Sequence, residues 1–155
     1  MTNYNEVSGD LIDLAKKGEF DVVAHGCNCF CTMGAGIAPQ MANAFGCDEF
    51  PLENQKYSGD KNKLGKIDYE TMLVNNKHLT VVNAYTQYGF GGQPFDYDAF
   101  EKIVSEMNKV FKGMHIGLPK IGAGLAGGKW NVIKEMIQEG FTDCKVTVVK
   151  YRPVR

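Results

Sequence analysis

Two glycine-rich stretches hold the residues best suited to chemistry. The first reads His25-Gly26-Cys27-Asn28-Cys29-Phe30-Cys31-Thr32-Met33-Gly34-Ala35-Gly36-Ile37-Ala38. It follows a compact apolar run, Phe20 to Ala24, and opens a helical stretch expected to run through Phe45. Glycines at such a turn let backbone N–H groups approach a ligand with no Cβ in the way. The N-terminus of the following helix adds a partial positive charge that favours phosphate. A tight strand-to-helix turn that holds nothing would read the same, so this stretch alone leaves both readings open. The second stretch reads Leu118-Pro119-Lys120-Ile121-Gly122-Ala123-Gly124-Leu125-Ala126-Gly127-Gly128. It is not a Walker loop, since no Gly-Lys-Ser/Thr ends it. Nor is it the dinucleotide fingerprint, because it lies late in the chain with no βαβ unit and acidic ribose partner after it. Two such loops in one chain favour an anion site, a pyrophosphate clamped between two sets of backbone donors, over two empty turns.

Several side chains near these loops have two readings each. His25 and Asn28 sit at the mouth of the first loop. A histidine after a strand serves readily as a hydrogen-bonded structural residue, whereas beside a phosphate it can be nucleophile or general acid. Asn28 offers a donor and an acceptor to a ribose hydroxyl. Asp10, after Gly9, reads first as a helix cap and second as an acceptor for the exocyclic amine of adenine. Cys27, Cys29 and Cys31 alternate, but the spacing is not Cys-x-x-Cys and no second ligand pair appears, so no metal is expected. The same period suits small residues packed under a loop. Phe90, within Tyr88-Gly89-Phe90-Gly91-Gly92, can cover a ribose or base or lie on the surface. Tyr151 is a weaker candidate for stacking on adenine.

The elements that must position these residues alternate along the chain. Short strands are expected at Tyr4 to Val7, Phe20 to Ala24, His115 to Leu118 and Lys145 to Tyr151. Leu79 to Tyr85 reads as a central strand, and Ile67 to Val74 as a strand or hairpin arm. A helix ends near Lys17-Gly18, and Leu52 to Tyr57 suits another short one. Between Asp96 and Phe111, apolar residues recur every three or four positions (Phe100, Ile103, Val104, Met107, Val110, Phe111), the mark of an amphipathic helix. Trp130 to Ile137 repeats the pattern. Strand and helix in alternation imply a three-layer α/β/α fold with a largely parallel sheet, whose ligands settle where strands lead into helices. Both glycine stretches fall at such places.

The 155 residues fit one domain spanning 1–155, with 44% hydrophobic and 23% charged residues. A net charge of -1 argues against general nucleic-acid binding, which shows as a basic excess. No apolar run approaches the ~20 residues of a membrane helix, and no charged-then-apolar leader is visible. A cytoplasmic monomer with free thiols is therefore expected, with no membrane partner and no cofactor.

The motifs together resemble the macro domain family of ADP-ribose-binding proteins. That family has Gly-Asp-(Leu/Ile) near its start, a strand ending in Asn, a Gly-x-Gly-(Ile/Val)-Ala helix start and a late Gly-x-Gly-(Leu/Ile/Val)-x-Gly loop. Here these are Gly9-Asp10-Leu11, Asn28, Gly34-Ala35-Gly36-Ile37-Ala38 and Gly122-Ala123-Gly124-Leu125-Ala126-Gly127, in the same order over nearly the whole chain. The resemblance implies that Asp10 contacts the adenine amino group and Asn28 the distal ribose. Gly34, Ala35, Gly36 and Ile37 would line that ribose and a phosphate, and Gly122 to Gly127 would wrap the diphosphate. Within the family, His25-Gly26-Cys27-Asn28-Cys29 looks most like the branch of ADP-ribose 1″-phosphate phosphatases, in which the His is proposed to act on the terminal phosphate. A similar branch removes ADP-ribose from glutamate with a Lys on the central strand and an Asp in the late loop. The corresponding stretches here, Val82-Asn83-Ala84-Tyr85 and Leu125-Ala126-Gly127, lack both charges. The expected ligand is thus ADP-ribose or its 1″-phosphate, and the expected reaction is phosphate release catalysed by His25 and Asn28. The alternatives are a non-catalytic ADP-ribose reader and a hydrolase of ADP-ribosylated protein or nucleic acid.

Overall fold

The computed structural model describes residues 3–30, 33, 36–50, 59–89, 94–124 and 127–152. Six strands and four helices alternate along it: β1 (Tyr4–Gly9), α1 (Leu11–Lys16), β2 (Val22–Asn28), α2 (Ala38–Phe45), β3 (Ile67–Val74), β4 (Lys77–Gln87), α3 (Tyr97–Val110), β5 (His115–Leu118), α4 (Trp130–Gly140) and β6 (Lys145–Tyr151). The strands form one sheet in the order β1-β6-β5-β2-β4-β3. Every neighbouring pair is parallel except β3 and β4, which form an antiparallel hairpin turning at Asn75 and Asn76. Both asparagines have positive φ, a conformation their short polar side chains tolerate.

The near-continuous apolar runs at Val22–Ala24, Leu79–Val82 and Val146–Val149 belong to strands buried on both faces. Alternate residues of these strands pack into different clusters. Val22, Ala24, Val82, Ala84, Ile116 and Val148 meet Phe100, Ile103 and Val104 of α3 and Ile133 and Ile137 of α4. Val23, Val81 and Val149 instead meet Leu11 and Ala15 of α1 and Met41 and Phe45 of α2. The result is the expected three-layer α/β/α arrangement around a mixed, largely parallel sheet. Among the described residues no helix is long and apolar enough to cross a membrane.

Two boundaries differ from those read in the sequence, and both bear on the site. The apolar run ending at Ala24 does not end β2. Pairing continues through His25↔Asn83, Gly26↔Ala84 and Cys27↔Tyr85 to Asn28. Partners on β4 supply a hydrogen-bonded ladder that side-chain hydropathy does not reveal. The helix expected from Gly34-Ala35-Gly36 begins instead at Ala38. Gly36 has φ 64, a left-handed turn that no α-helix contains, and Pro39 then fits the first turn of α2. The helix expected at Leu52 to Tyr57 lies outside the described residues.

Close packing between β5 and the chain before β2 depends on a missing side chain. A Cβ on Gly117 would lie 2.6 Å from Cδ2 of buried Phe20. Gly117→Ala is expected to lower unfolding free energy by about 1–3 kcal/mol through overpacking. Urea denaturation at unchanged m-value would measure it.

Candidate functional site

Because β1, β6, β5, β2 and β4 run parallel, the turns after β1, β2 and β5 emerge on one edge of the sheet. At one end of that edge, Asp10 caps α1, its Oδ1 accepting from the Asp13 N–H at 3.1 Å. The cap reading of Asp10 is therefore what its side chain does here. Gly9 is paired in register with Tyr151, and the Arg152 N–H donates to the Gly9 carbonyl at 2.7 Å. This holds Tyr151, 73% exposed, beside the Gly9-Asp10 turn. Leu11, by contrast, is a core residue packed with α1's apolar face.

Three strands away, Asn28 ends β2, 8% exposed, with its Oδ1 accepting from the Phe30 N–H at 2.9 Å. This bond folds the chain sharply at the strand's end. Ile37 packs its side chain on the α1/α2 cluster. Gly36 lies in the open, where an added Cβ would meet nothing within 4 Å. Gly34, Ala35 and Phe90 lie outside the described residues. Cys27 and Cys29 are buried with Tyr85 in a small cluster flanked by Met33, Leu64 and Tyr88, the packing role their alternation allowed. Both thiols are free of disulfides.

Between these ends stands the loop after β5. Its own hydrogen bonds occupy several donors: Ile121 to Pro119, Ala123 to Lys120, Gly127 to Gly124, and Gly128 to Gly122 at 2.7 Å. Gly122 has φ 77, and a Cβ there would run into the Phe95 ring, so only glycine fits. Among the described residues, the N–H groups of Gly122 and Gly124 find no intramolecular acceptor. The expectation that the whole run Gly122 to Gly127 presents its donors is thus narrowed. Ala123 and Gly127 spend theirs on the loop itself, and Leu125 and Ala126 lie outside the described residues.

His25 is not at the mouth of the first loop. It lies within β2, 0% exposed, on the strand face between Val23 and Cys27. Its Nε2 is 2.7 Å from Asn83 Oδ1, 3.6 Å from Cys27 Sγ and 3.5 Å from Cys47 Sγ. The Asn83 amide nitrogen donates to the Cys47 carbonyl at 2.8 Å and to Asp68 Oδ1 at 3.2 Å. Two acceptors on that nitrogen turn the Asn83 oxygen toward His25, so Nε2 carries the proton and donates. Burial pushes the imidazole down to about 4, against an opposing pull from Asn83. A neutral, enclosed imidazole whose Nε2–H is committed to Asn83 ties β2 to β4.

The same network contains residues that sequence patterns did not single out. Asp68 on β3, 8% exposed, also accepts from the Tyr85 hydroxyl at 2.6 Å. Lys63, only 2% exposed, places Nζ 5.5 Å from the Tyr85 ring centroid. The available signal was Asn83 itself, a lone amide amid the apolar positions of Leu79–Tyr85.

No protein-family model matches the chain. It is 30% identical over 152 residues, 96% of each chain, to the uncharacterized 17.5 kDa protein in the tk-vs intergenic region of Enterobacteria phage T4. It is also 30% identical over 145 residues to human ADP-ribose glycohydrolase OARD1, covering 92% of this chain and 88% of that one. The macrodomain of Thermus aquaticus DarG superposes with a TM-score of 0.70 at 22% identity, covering 97% and 98% of the two chains. The three-layer fold thus has its counterpart in a known structure. The chain belongs to the macro domain family.

The buried histidine has a measurable consequence. Its folded-state value lies below the ordinary 6.5, so the unfolded chain takes up the proton first. The corresponding stability is fully present above about pH 6.5 and is lost as pH falls toward 4. Between pH 7 and pH 5 this residue should remove about 2 kcal/mol of unfolding free energy. His25→Gln, which keeps a donor for Asn83 but cannot titrate, should lose correspondingly less over that interval. Chemical denaturation at the two pH values decides, and equal losses in both proteins would contradict the assignment.

Proposed function

We propose that this chain binds ADP-ribose along the carboxyl edge of its sheet and releases phosphate from C1″ of the distal ribose. The observation that carries the binding is the spacing of the three turns. Gly9-Asp10 and Asn28 are three strand positions apart, roughly 14 Å, with the β5 loop between them. A diphosphate with a nucleoside on one side and a sugar on the other covers such a span. Asp10 and Tyr151 would then take the adenine, the N–H groups of Gly122 and Gly124 the diphosphate, and Asn28 with Gly34 to Ile37 the distal ribose. The likeness to a protein named ADP-ribose glycohydrolase supports the ligand class.

For the reaction, the His-x-Cys-Asn-Cys run favours the 1″-phosphate as substrate. Water attacks phosphorus in line, the bond from phosphorus to the C1″ oxygen breaks, and that oxygen leaves as a hydroxyl. Such a transfer depends chiefly on positioning and on donors aimed at the equatorial oxygens, which backbone N–H groups and Asn28 can provide. His25 acts on this reading as a positioning residue: tied to Asn83, it fixes the strand whose last residue is Asn28. A second reading, hydrolysis of ADP-ribose from another molecule, rests on the similarity to OARD1 and uses the same binding mode.

Calorimetry with ADP-ribose, followed by phosphate release from ADP-ribose 1″-phosphate, tests the proposal. Binding with phosphate release supports it. Binding with release only from mono-ADP-ribosylated substrates favours the second reading, binding without turnover favours a reader, and absence of binding overturns all three. Asp10→Ser sharpens the binding assignment. Serine caps as well as aspartate, so thermal stability should hold. A shorter, uncharged side chain should weaken ADP-ribose binding about tenfold, the loss of one charge-assisted hydrogen bond.

A further inference from the structure

Thr86, at the carboxyl end of β4, is 1% exposed, and its hydroxyl is the one buried side-chain polar atom with no hydrogen-bond partner among the described residues. Its backbone carbonyl accepts from the Asp96 N–H at 2.9 Å ahead of α3. Buried polar groups left unsatisfied are rare in folded proteins, and each calls for something to fill the position.

The surroundings of this hydroxyl point outward to the candidate cleft. Thr86 is the extra residue of β4 where its register with β2 shifts, between Tyr85, paired with Cys27, and Gln87, paired with Asn28. Ala84 is paired in register with Gly26 of β2. A Cβ on Gly26 would lie 2.9 Å from Thr86 Oγ1 and 3.3 Å from Ile121 Cγ1 of the β5 loop. Gly26 itself is only half-buried although it lies in the middle of the sheet. The missing side chain therefore lets the Thr86 hydroxyl and Ile121 of the β5 loop pack close against β2, at a point of the sheet where Gly26 keeps some exposure. Ile121 directly precedes Gly122, and Gly26 lies two residues from Asn28.

We propose that the Thr86 hydroxyl contacts the bound ligand, hydrogen-bonding an oxygen of the distal ribose, and that Gly26 lets this hydroxyl stand so close to β2. The inference rests on the ADP-ribose reading. A hydroxyl donates and accepts, so it pairs with a sugar hydroxyl in either sense. Because the group has no partner in the free protein, its removal takes nothing from the fold and something from the complex. A structural hydroxyl, satisfied by an enclosed water, would behave in the opposite way.

Thr86→Val, which keeps the shape and deletes the hydroxyl, separates the two. ADP-ribose affinity by calorimetry should fall about tenfold, the equivalent of one hydrogen bond. The Tm without ligand should stay level or rise, and Thr86→Ser should restore wild-type affinity. Thr86→Ala repeats the comparison should valine not be accommodated. Wild-type affinity in the variants overturns the inference, with or without a lowered Tm, while leaving the binding reading intact. If the wild-type protein itself fails to bind ADP-ribose, the binding reading falls and this inference falls with it.

Discussion

The constraint on which the rest depends is the direction of five strands. β1, β6, β5, β2 and β4 all point their carboxyl ends the same way. Turns separated by more than a hundred residues in the chain, Gly9-Asp10 and Gly122 to Gly127, therefore open on one edge. Parallel strands need helical crossovers, and the crossovers bury both faces of the sheet. The edge is then the place left where backbone N–H groups can be offered to a ligand without exposing the core. A ligand bound there is held by geometry more than by charge, which agrees with a chain of net charge -1.

Carrying β2 and β4 far enough to reach that edge brings polar residues into the sheet's interior. His25, Asn83 and Asp68 occupy neighbouring positions across three strands, and Asn83 joins them by using both its oxygen and its nitrogen. A buried polar layer of this kind is tolerated when its members satisfy one another. It also fixes register, because a slip of one residue would turn every member to the opposite face. The apparent catalytic motif at the end of β2 is thus divided. His25 and Cys27 lie buried within the sheet, and Asn28 ends β2 at its carboxyl edge.

The sequence made the architecture readable because hydrophobic period and glycine turns are local signals. The amphipathic stretches at α3 and α4 and the strand at His115–Leu118 appear where their residues imply. The end of β2 was not readable from hydropathy, since it is set by pairing with β4 rather than by its own side chains, although the family resemblance placed it at Asn28. The burial of His25 was not readable for the same reason: a histidine between alanine and glycine carries no local mark of it, and its partner Asn83 lies 58 residues away. Thr86 was equally silent, because an absent hydrogen bond is a property of the assembled fold. Asp10, whose cap is a bond to a residue three positions on, was read correctly.

Amide chemical-shift mapping with ADP-ribose tests most directly the claim that one edge of the sheet forms the site. Resonances of Gly9, Asn28, Gly122, Gly124 and Tyr151 should move together and saturate at one ligand per chain, while those of Glu101, Asn108 and Glu139 between α3 and α4 stay fixed. Shifts confined to the helical face, or none at saturating ligand, would contradict the account.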